Sequence, residues 1–539
     1  MPILEKVVIL MRKPLKNFEN KANDHKYLYY LAAVAIFAVA LGMYFNTGIS
    51  YYNEGDMYVR IYSSHIISIY GMKDGIAYLT KLGGEVWDAF FPNEYLLIGI
   101  PALFYRVLGI NATTVSLYGT ISLVGTIVVL FYIGKRLGNG RVGIISAAVF
   151  ACIPAVLLEL GSGGDGLPVA FFSSAAVLSV IEAGRTGNNY YYLMPGVLIA
   201  IGAMAGSVEV LITLLFLFLL LLYRAAKSHD AANLRGSAVR FTFFILGALA
   251  GLFAILFCGQ AFAGSYYAFF GAEVGHAPIN TYFIQYTMPF VGVLEGLFPT
   301  YYSYSYMYFW IWPYSALNPS ESTSILSPYG ITEAGSPRIV NVIGFFGYAM
   351  LVCAVYLAYR RSRGVGLPAT WIAVVIGYLS FGISGNLNGF IALDPRLFIA
   401  AMPPLALIIG LGADDMLTEV SKYPRFRARL RAGDRRRLAL KMVFYACITV
   451  FALLVFTTAI YLVQFYNNTY ASELYPWVQT GKFISTLPKN ATVYVVSTVF
   501  YNAPLPPRHA PISMSAPLRF VVSATNCQSS KHLYLSTIV

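Results

Sequence analysis

Carboxylate side chains that could bind a divalent cation occur at three places in the sequence. Asp56 lies in the stretch NEGDMY, Asp165 in the glycine-rich stretch GSGGDG, and Glu333 in GITEA. Oxygen ligands of this kind suit Mg²⁺ and Mn²⁺. If the fold brings the three carboxylates together, they form a site for one such ion, although each taken singly is also explained as a solvated loop residue.

An arginine provides a candidate group for binding an anion. Arg396 stands in DPRLFIAAMPPLALIIGLG, directly before a long apolar run. A charged side chain at the entrance to a membrane span is costly unless it reaches the lipid headgroups or binds an anion. The phosphate of a lipid-linked donor is one such anion, and the headgroup phosphates are the alternative.

The composition determines the kind of fold that must position these residues. Hydrophobic residues make up 58% of the 539 residues and charged residues only 11%, against about 25% charged residues in soluble domains. Apolar runs close to the length of a membrane span recur along the chain. The sequence therefore predicts an all-α polytopic membrane protein with about 13 transmembrane helices. This excludes a soluble enzyme, a disulfide scaffold and a disordered chain.

The net charge of +13 is explained by topology, since Lys and Arg concentrate in short cytoplasmic loops of membrane proteins. No nucleic-acid partner is expected. The five cysteines form no metal-ligand pair or redox motif. Alternating the basic loops with the apolar runs predicts spans at residues 27–45, 115–134, 142–158, 169–180, 192–205, 210–223, 241–258, 262–270, 282–298, 339–359, 367–383, 397–411 and 442–463.

Two regions follow from this threading. Residues 1–463 form the transmembrane domain, and residues 464–539 form a short extracytoplasmic α/β segment with a helix at 473–487 and a strand at Thr492–Ser497. The external loops of the first region are 47–114, 159–168 and 301–337. An apolar stretch at 95–105 is short for a span and contains a proline, so it predicts an interfacial helix.

The threading also predicts the side on which each candidate residue lies. The N-terminus is expected in the cytoplasm and the C-terminus outside. The four candidate residues share the extracytoplasmic face, opposite the basic residues Arg136, Arg224 and Arg436. The protein is expected to be a multi-pass protein of a prokaryotic plasma membrane or an ER-type membrane.

The order of these motifs resembles the catalytic subunit of oligosaccharyltransferases. These C-type glycosyltransferases move a glycan from a polyprenyl phosphate or diphosphate to an acceptor asparagine. Asp56 with the following Met-Tyr is similar to the family's Asp-x-Tyr in the first loop. Asp165 matches the first acidic position of the signature after the third span, Glu333 matches the fifth-loop Glu, and Arg396 matches a late arginine that meets the donor phosphate. The resemblance extends over almost the whole chain.

The resemblance implies roles for these residues. Asp56, Asp165 and Glu333 would bind the divalent cation, Mn²⁺ or Mg²⁺, and Arg396 would bind the donor phosphate. Asp56 and Glu333 would also contact the acceptor amide as catalytic residues. The implied partners are a lipid-linked glycan donor, an acceptor polypeptide, membrane lipids and further subunits.

The sequence departs from the family pattern at three places. The arginine expected before the signature after the third span is not evident in CIPAVLLELGSGGD. Leu167 occupies the second acidic position of the signature after the third span. The Trp-Trp-Asp-Tyr-Gly motif is absent, since the corresponding stretch 497–502 reads STVFYN, so the acceptor-binding residues are unknown. Two alternatives therefore stand beside asparagine glycosylation. One is a related transferase that uses a polyprenyl-monophosphate sugar and another acceptor, for which Glu333 would not be needed. The other is a non-catalytic paralogue or assembly subunit.

Overall fold

The computed structural model of the protein describes residues 26–40, 55–83, 95–153, 156, 160, 166–205, 210–226, 231–264, 266, 345–362, 364–381, 399–422, 492–497, 518–522 and 532–536. The chain forms two compact units, Met1–Tyr470 and Ala471–Val539. The predictions for Asp165, Glu333, Arg396 and Arg436, and for the spans at 282–298 and 442–463, lie outside the described residues.

The first unit is helical throughout its described part. Its helices are α1 (Lys26–Ala40), α2 (Gly55–Tyr70), α3 (Met72–Gly83), α4 (Tyr95–Leu108), α5 (Ala112–Leu137), α6 (Gly140–Cys152), α7 (Gly166–Thr186), α8 (Met194–Ala205), α9 (Val210–Ala226), α10 (Ala231–Cys258), α11 (Phe345–Tyr359), α12 (Gly366–Phe381) and α13 (Met402–Lys422). Short 3₁₀ turns precede α8 and α13, at Asn189–Tyr192 and Ile399–Ala401, and a π-helical turn, Gly259–Ala263, follows α10.

Four segments in the described part of the chain are long and apolar enough to cross a membrane. They are Thr113–Leu137, Gly166–Thr186, Arg235–Phe262 and Ile399–Thr418, in α5, α7, α10 and α13. Several shorter apolar helices accompany them. The protein is therefore an integral membrane protein with many helices, as the composition predicts, while the number of spans stays a prediction.

One predicted span boundary is wrong, and another predicted span contains a helix break. The break lies in the span predicted at 142–158: α6 ends at Cys152, because Ile153 turns to an extended conformation (φ −66°, ψ 124°) directly before a proline, and residues 156 and 160 are helical again. Proline disfavours helical conformation in the residue before it. The span predicted to begin at residue 262 starts in the wrong place, since Phe262 belongs to the π turn that extends α10 and ends at Gly264 with φ +71°.

The start of α5 is fixed by a capping box. The Asn111 side chain accepts a hydrogen bond from the Thr114 backbone N–H at 3.0 Å. In return the Thr114 hydroxyl accepts one from the Asn111 backbone N–H at 2.9 Å. This pairing satisfies two donors that a helix otherwise leaves free at its start.

Glycines allow two helix pairs to approach backbone to backbone. A Cβ atom on Gly143 of α6 would lie 2.4 Å from the Phe131 carbonyl oxygen of α5. A Cβ atom on Gly196 of α8 would lie 2.2 Å from the Ala248 nitrogen of α10. Small residues are the usual means by which helices pack closely in membranes, where no hydrophobic effect drives their association.

Ion pairs join several helix ends at one end of the bundle, the basic end. Within the described residues they are Arg136–Glu182, Arg185–Glu182, Arg141–Asp414 and Arg360–Asp415. The pairs connect the C-terminal ends of α5, α7, α11 and α13 with the start of α6. The opposite end, the distal end, therefore contains the starts of α5, α7 and α13.

The second unit contains a three-stranded sheet of β1 (Thr492–Ser497), β2 (Leu518–Val522) and β3 (His532–Ser536). The strand order is β2-β1-β3, with β1 antiparallel to β2 and parallel to β3. The strand predicted from the alternating sequence TVYVVS is present with the same bounds. The helix predicted at 473–487 lies outside the described residues.

Candidate functional site

Asp56 lies at the start of a helix. α2 begins at Gly55, so Asp56 is its second residue. The first turn of a helix carries the positive end of the helix dipole, which favours a carboxylate there. The predicted ligand is thus held on a regular element, within a loop whose sequence is polar.

Arg60 follows Asp56 by one helical turn. Residues four apart in a helix share a face, and on this face Arg60 is only 7% exposed while Ser63 and Ile67 are also buried. α2 packs against α4. A buried guanidinium stays charged and is stable only beside anionic or polar groups. Arg60 is thus a further candidate residue that the motifs did not indicate, although its Asp-x-x-x-Arg spacing from Asp56 is visible in the sequence.

α4 covers part of the distal end. Leu97 of α4, Tyr118 of α5 and Ala205 at the end of α8 form one buried cluster. The Tyr118 hydroxyl donates a hydrogen bond to the Ala205 carbonyl oxygen at 3.0 Å. Apolar side chains of α4 such as Val107 are strongly exposed on its other side. A helix therefore exists where an interfacial one is predicted, and it packs on α2 as well as on α5 and α8.

The elements that follow Asp165 and Arg396 are in contact. α7 begins at Gly166, one residue after Asp165, and the 3₁₀ turn begins at Ile399, three residues after Arg396. α7 and this turn pack against each other. The structure thus brings α7 and this turn together, while Asp165, Arg396 and Glu333 themselves lie outside the described residues.

Leu167 is a core residue. Its side chain is fully buried, and its Cδ1 atom lies 3.6 Å from the point that a Cβ on Gly119 of α5 would occupy. Gly119 thus leaves room for the leucine in the α5–α7 interface. The departure from the family signature at this position has a packing role in this chain.

Tyrosines form a cluster on the exposed side of the α2–α3 hairpin. The rings of Tyr70 and Tyr78 stack with centroids 5.2 Å apart. Partial burial raises the pKa of Tyr62 above its usual value, and the neighbouring Tyr78 and Tyr70 raise this pKa further. The two helices meet at Gly71, whose φ of +83° suits glycine best.

No group of three or more His, Cys, Asp or Glu side chains that could hold a metal ion occurs in the part of the chain that the structure describes. Two of the three predicted carboxylates are outside that part. The predicted donor set consists only of carboxylate oxygens, which fits Mn²⁺ or Mg²⁺. The cation site therefore stays a prediction.

These features define an integral membrane protein whose described helices are joined by ion pairs at the basic end. A comparison with protein-family models gives no match, and a comparison with curated proteins gives none either. The fold is similar to that of an oligosaccharyltransferase from Archaeoglobus fulgidus tethered to an acceptor peptide with an NVT sequon. The TM-score is 0.44 and the identity 13%, over 81% of this chain and 55% of that one.

Two further solved structures are also similar. ArnT from Cupriavidus metallidurans, bound to undecaprenyl phosphate, gives a TM-score of 0.47 and 12% identity over 87% of this chain and 82% of that one. The Archaeoglobus enzyme in complex with Zn and sulfate gives a TM-score of 0.46 and 14% identity over 80% of this chain and 53% of that one.

The chain thus spans little more than half of the archaeal enzyme, 55% in the first comparison. Two of these three structures are named as an oligosaccharyltransferase, and the third is ArnT. At this degree of similarity, the function has to be inferred from the residues of this chain.

Proposed function

We propose that the protein is a membrane glycosyltransferase that moves a glycan from a polyprenyl phosphate or diphosphate to an acceptor asparagine. In this proposal Asp56, Asp165 and Glu333 hold a divalent cation, and Arg396 binds the donor phosphate. Reaction takes place at the distal end, which would face away from the cytoplasm. Lipid-linked glycan and acceptor polypeptide are the two substrates.

The observation that carries the proposal is the burial of Arg60 near the start of α2. Arg60 is 7% exposed and lies one turn after Asp56, in a helix that packs against the distal end through α4. A buried arginine and a carboxylate on one helix face are unusual unless they serve an ionic substrate or one another. The contact between α7 and the turn that follows Arg396 supports the same location.

The chemistry requires three kinds of group. The acceptor nitrogen forms a bond to the anomeric carbon, while the bond from that carbon to the phosphate oxygen breaks and its electron pair leaves with the lipid phosphate. A carboxylate, Asp56 or Glu333, takes the proton that the acceptor amide loses. Arg396 holds the phosphate through paired hydrogen bonds. A bound cation supplies further positive charge for the leaving phosphate.

The test measures donor binding by variants of Arg396. Labelled polyprenyl-phosphate glycan is titrated into purified protein in nanodiscs. Arg396→Ala should weaken binding by about 10- to 150-fold, since a hydrogen bond to a charged group contributes about 1.5–3 kcal/mol. Arg396→Lys should lose less, because it keeps the charge but not the two-pronged geometry.

Arg240 provides a matched control. It is exposed near the start of another span, in α10, on the predicted cytoplasmic side. Arg240→Ala should leave donor affinity unchanged. If wild type and both Arg396 variants bind the donor equally, the arginine serves only to reach the lipid headgroups. That result favours the non-catalytic alternative.

A second acceptor class is supported by one specific observation. Leu167 is buried between α5 and α7, and the Trp-Trp-Asp motif is missing, so the usual groups for an Asn-x-Thr acceptor are not evident in the sequence. The transfer assay should therefore compare an Asn-x-Thr peptide with lipid and hydroxyl acceptors. Transfer to the peptide that depends on Mn²⁺ and on Glu333 supports asparagine glycosylation, and transfer only to another acceptor supports the alternative.

A further inference from the structure

A buried carboxylate at the basic end connects two helices that are distant in sequence. Asp414 of α13 is 7% exposed. Its Oδ2 accepts a hydrogen bond from the Asn139 Nδ2 at 2.6 Å, and its Oδ1 lies 3.6 Å from the Arg141 Nε. Asn139 also caps α6, because its Oδ1 accepts hydrogen bonds from the backbone N–H groups of Arg141 and Val142. One carboxylate thus ties α13 to the start of α6.

Glycines preceding Asp414 fix how α13 fits between its neighbours. A Cβ on Gly410 would lie 2.1 Å from the Ser146 Oγ of α6, and one on Gly412 would lie 2.5 Å from the Cys353 Cβ of α11. Gly410 and Asp414 are four residues apart and share the face towards α6. A slip of α13 along its axis would bring larger residues into these contacts and separate Asp414 from Asn139.

Burying a charge is a costly way to hold two helices together. Well-packed apolar residues often stabilise such an interface more, and buried polar groups are best attested as devices that fix the register between helices. The membrane keeps the helices formed whether or not this contact exists. Loss of Asp414 is therefore expected to shift α13 without unfolding it.

A fixed register at the basic end has an effect at the distal end. Asp414 lies 12 residues after Met402, about 18 Å along a helix. The turn Ile399–Ala401 precedes Met402 and packs on α7 and α12. We propose that Asp414, with Asn139 and Arg141, is a positioning residue that fixes the axial register of α13 and thereby the place where the distal end binds the donor phosphate. This rests on the proposed function, since Arg396 lies three residues before Ile399, where the turn begins.

The variants remove or rearrange the contact. Asp414→Leu removes the charge and keeps the branched shape of the side chain, with two larger methyl groups in place of the carboxylate oxygens. The double variant Asn139→Asp with Asp414→Asn exchanges the two partners. Either Asn or Asp can cap α6. Asp415→Asn is the matched control, because the neighbouring Asp415 is 33% exposed and lies 3.9 Å from Arg360.

Two measurements are made on every variant. The first is the affinity for labelled polyprenyl-phosphate glycan, which Asp414→Leu should weaken by about 2- to 30-fold at an unchanged or higher melting temperature. The second is the reactivity of a cysteine introduced as Ala401→Cys in a background without the native cysteines. Ala401 is fully buried, so this thiol should be protected in the parent and react faster with Asp414→Leu. The exchanged pair should restore both values, and Asp415→Asn should change neither.

The two measurements separate the outcomes. If Asp414→Leu leaves both the thiol reactivity and the donor affinity unchanged, the proposal is overturned. Weaker donor binding without a change at position 401 overturns it too, since the effect would then not act through α13. If the thiol becomes reactive but not even the parent binds the donor, the register contact stands and the proposed function fails.

Discussion

Replacing Leu167 with aspartate tests whether this position belongs to a cation site or to the core. The family signature has an acidic residue here, so Leu167→Asp restores its sequence. In the structure, however, Leu167 is fully buried against Gly119. We therefore expect the substitution to damage packing and to create no ligand.

The magnitude follows from the burial of the side chain. Shortening a fully buried leucine costs about 2–5 kcal/mol. A carboxyl group left without a partner adds about 1–3 kcal/mol, so Leu167→Asp should destabilise by about 3–8 kcal/mol in all. Leu167→Met conserves the volume and should cost less than about 1.5 kcal/mol.

The assay is thermal unfolding of purified variants in detergent, with and without Mn²⁺. Leu167→Asp should melt well below wild type, Leu167→Met close to it, and Mn²⁺ should add no protection that is specific to the aspartate. A Leu167→Asp variant that melts like wild type and gains Mn²⁺-dependent stability would refute the packing argument. Position 167 would then belong to the cation site.

Further predictions concern the helix contacts. Gly119→Ala should be neutral or stabilising by up to about 1 kcal/mol, because its Cβ would meet Leu167 at an ordinary 3.6 Å. By contrast, Gly143→Ala should destabilise by about 1–3 kcal/mol, since its Cβ would lie 2.4 Å from a backbone oxygen; comparing the melting temperatures of the two variants checks both. Tyr118→Phe removes the buried hydrogen bond to Ala205 and should cost about 0.5–1.5 kcal/mol, measured as a lower melting temperature, and an unchanged value would contradict it.

The existence of the membrane helices could be predicted from apolar runs, while their ends could not. The run predicted at 115–134 lies inside α5, which extends from Ala112 to Leu137. Hydropathy falls at Thr113 and Lys135, yet the helix continues because a capping box begins it and basic residues are favourable in its last turn. Helix ends depend on hydrogen bonds to the backbone, which hydropathy does not measure.

Of the helices in the first loop, α4 was predicted and α2 and α3 were not, and the buried face of α2 is partly polar. Ser63 and Ser64 of α2 are fully buried, although serine ordinarily indicates a solvated position. Small hydroxyl side chains fit where helices pack closely. Because the sequence of α2 is partly polar, it did not indicate the helix whose second residue is Asp56.

The types of the candidate site residues could be predicted, while their neighbours could not. The motif alone proposes Asp56 as a candidate, and the spacing between the two residues would have added Arg60 as a candidate. The role of Leu167 required knowledge that Gly119, in another helix, lies opposite to it. Contacts between distant segments are set by the packing of the whole bundle, so they could not be predicted from the single sequence.

The shortness of α6 has a consequence for how the protein is made. Its 13 residues extend about 20 Å, whereas the hydrocarbon core of a bilayer is about 30 Å thick. Gly143 brings α6 against the backbone of α5. Gly134 is the last residue of α5 before its basic residues, and only five residues separate it from Gly140, where α6 begins. We therefore expect the two helices to enter the bilayer as a hairpin, with α5 retained at the insertion machinery until α6 has left the ribosome. For this pair, insertion and tertiary folding are a single event.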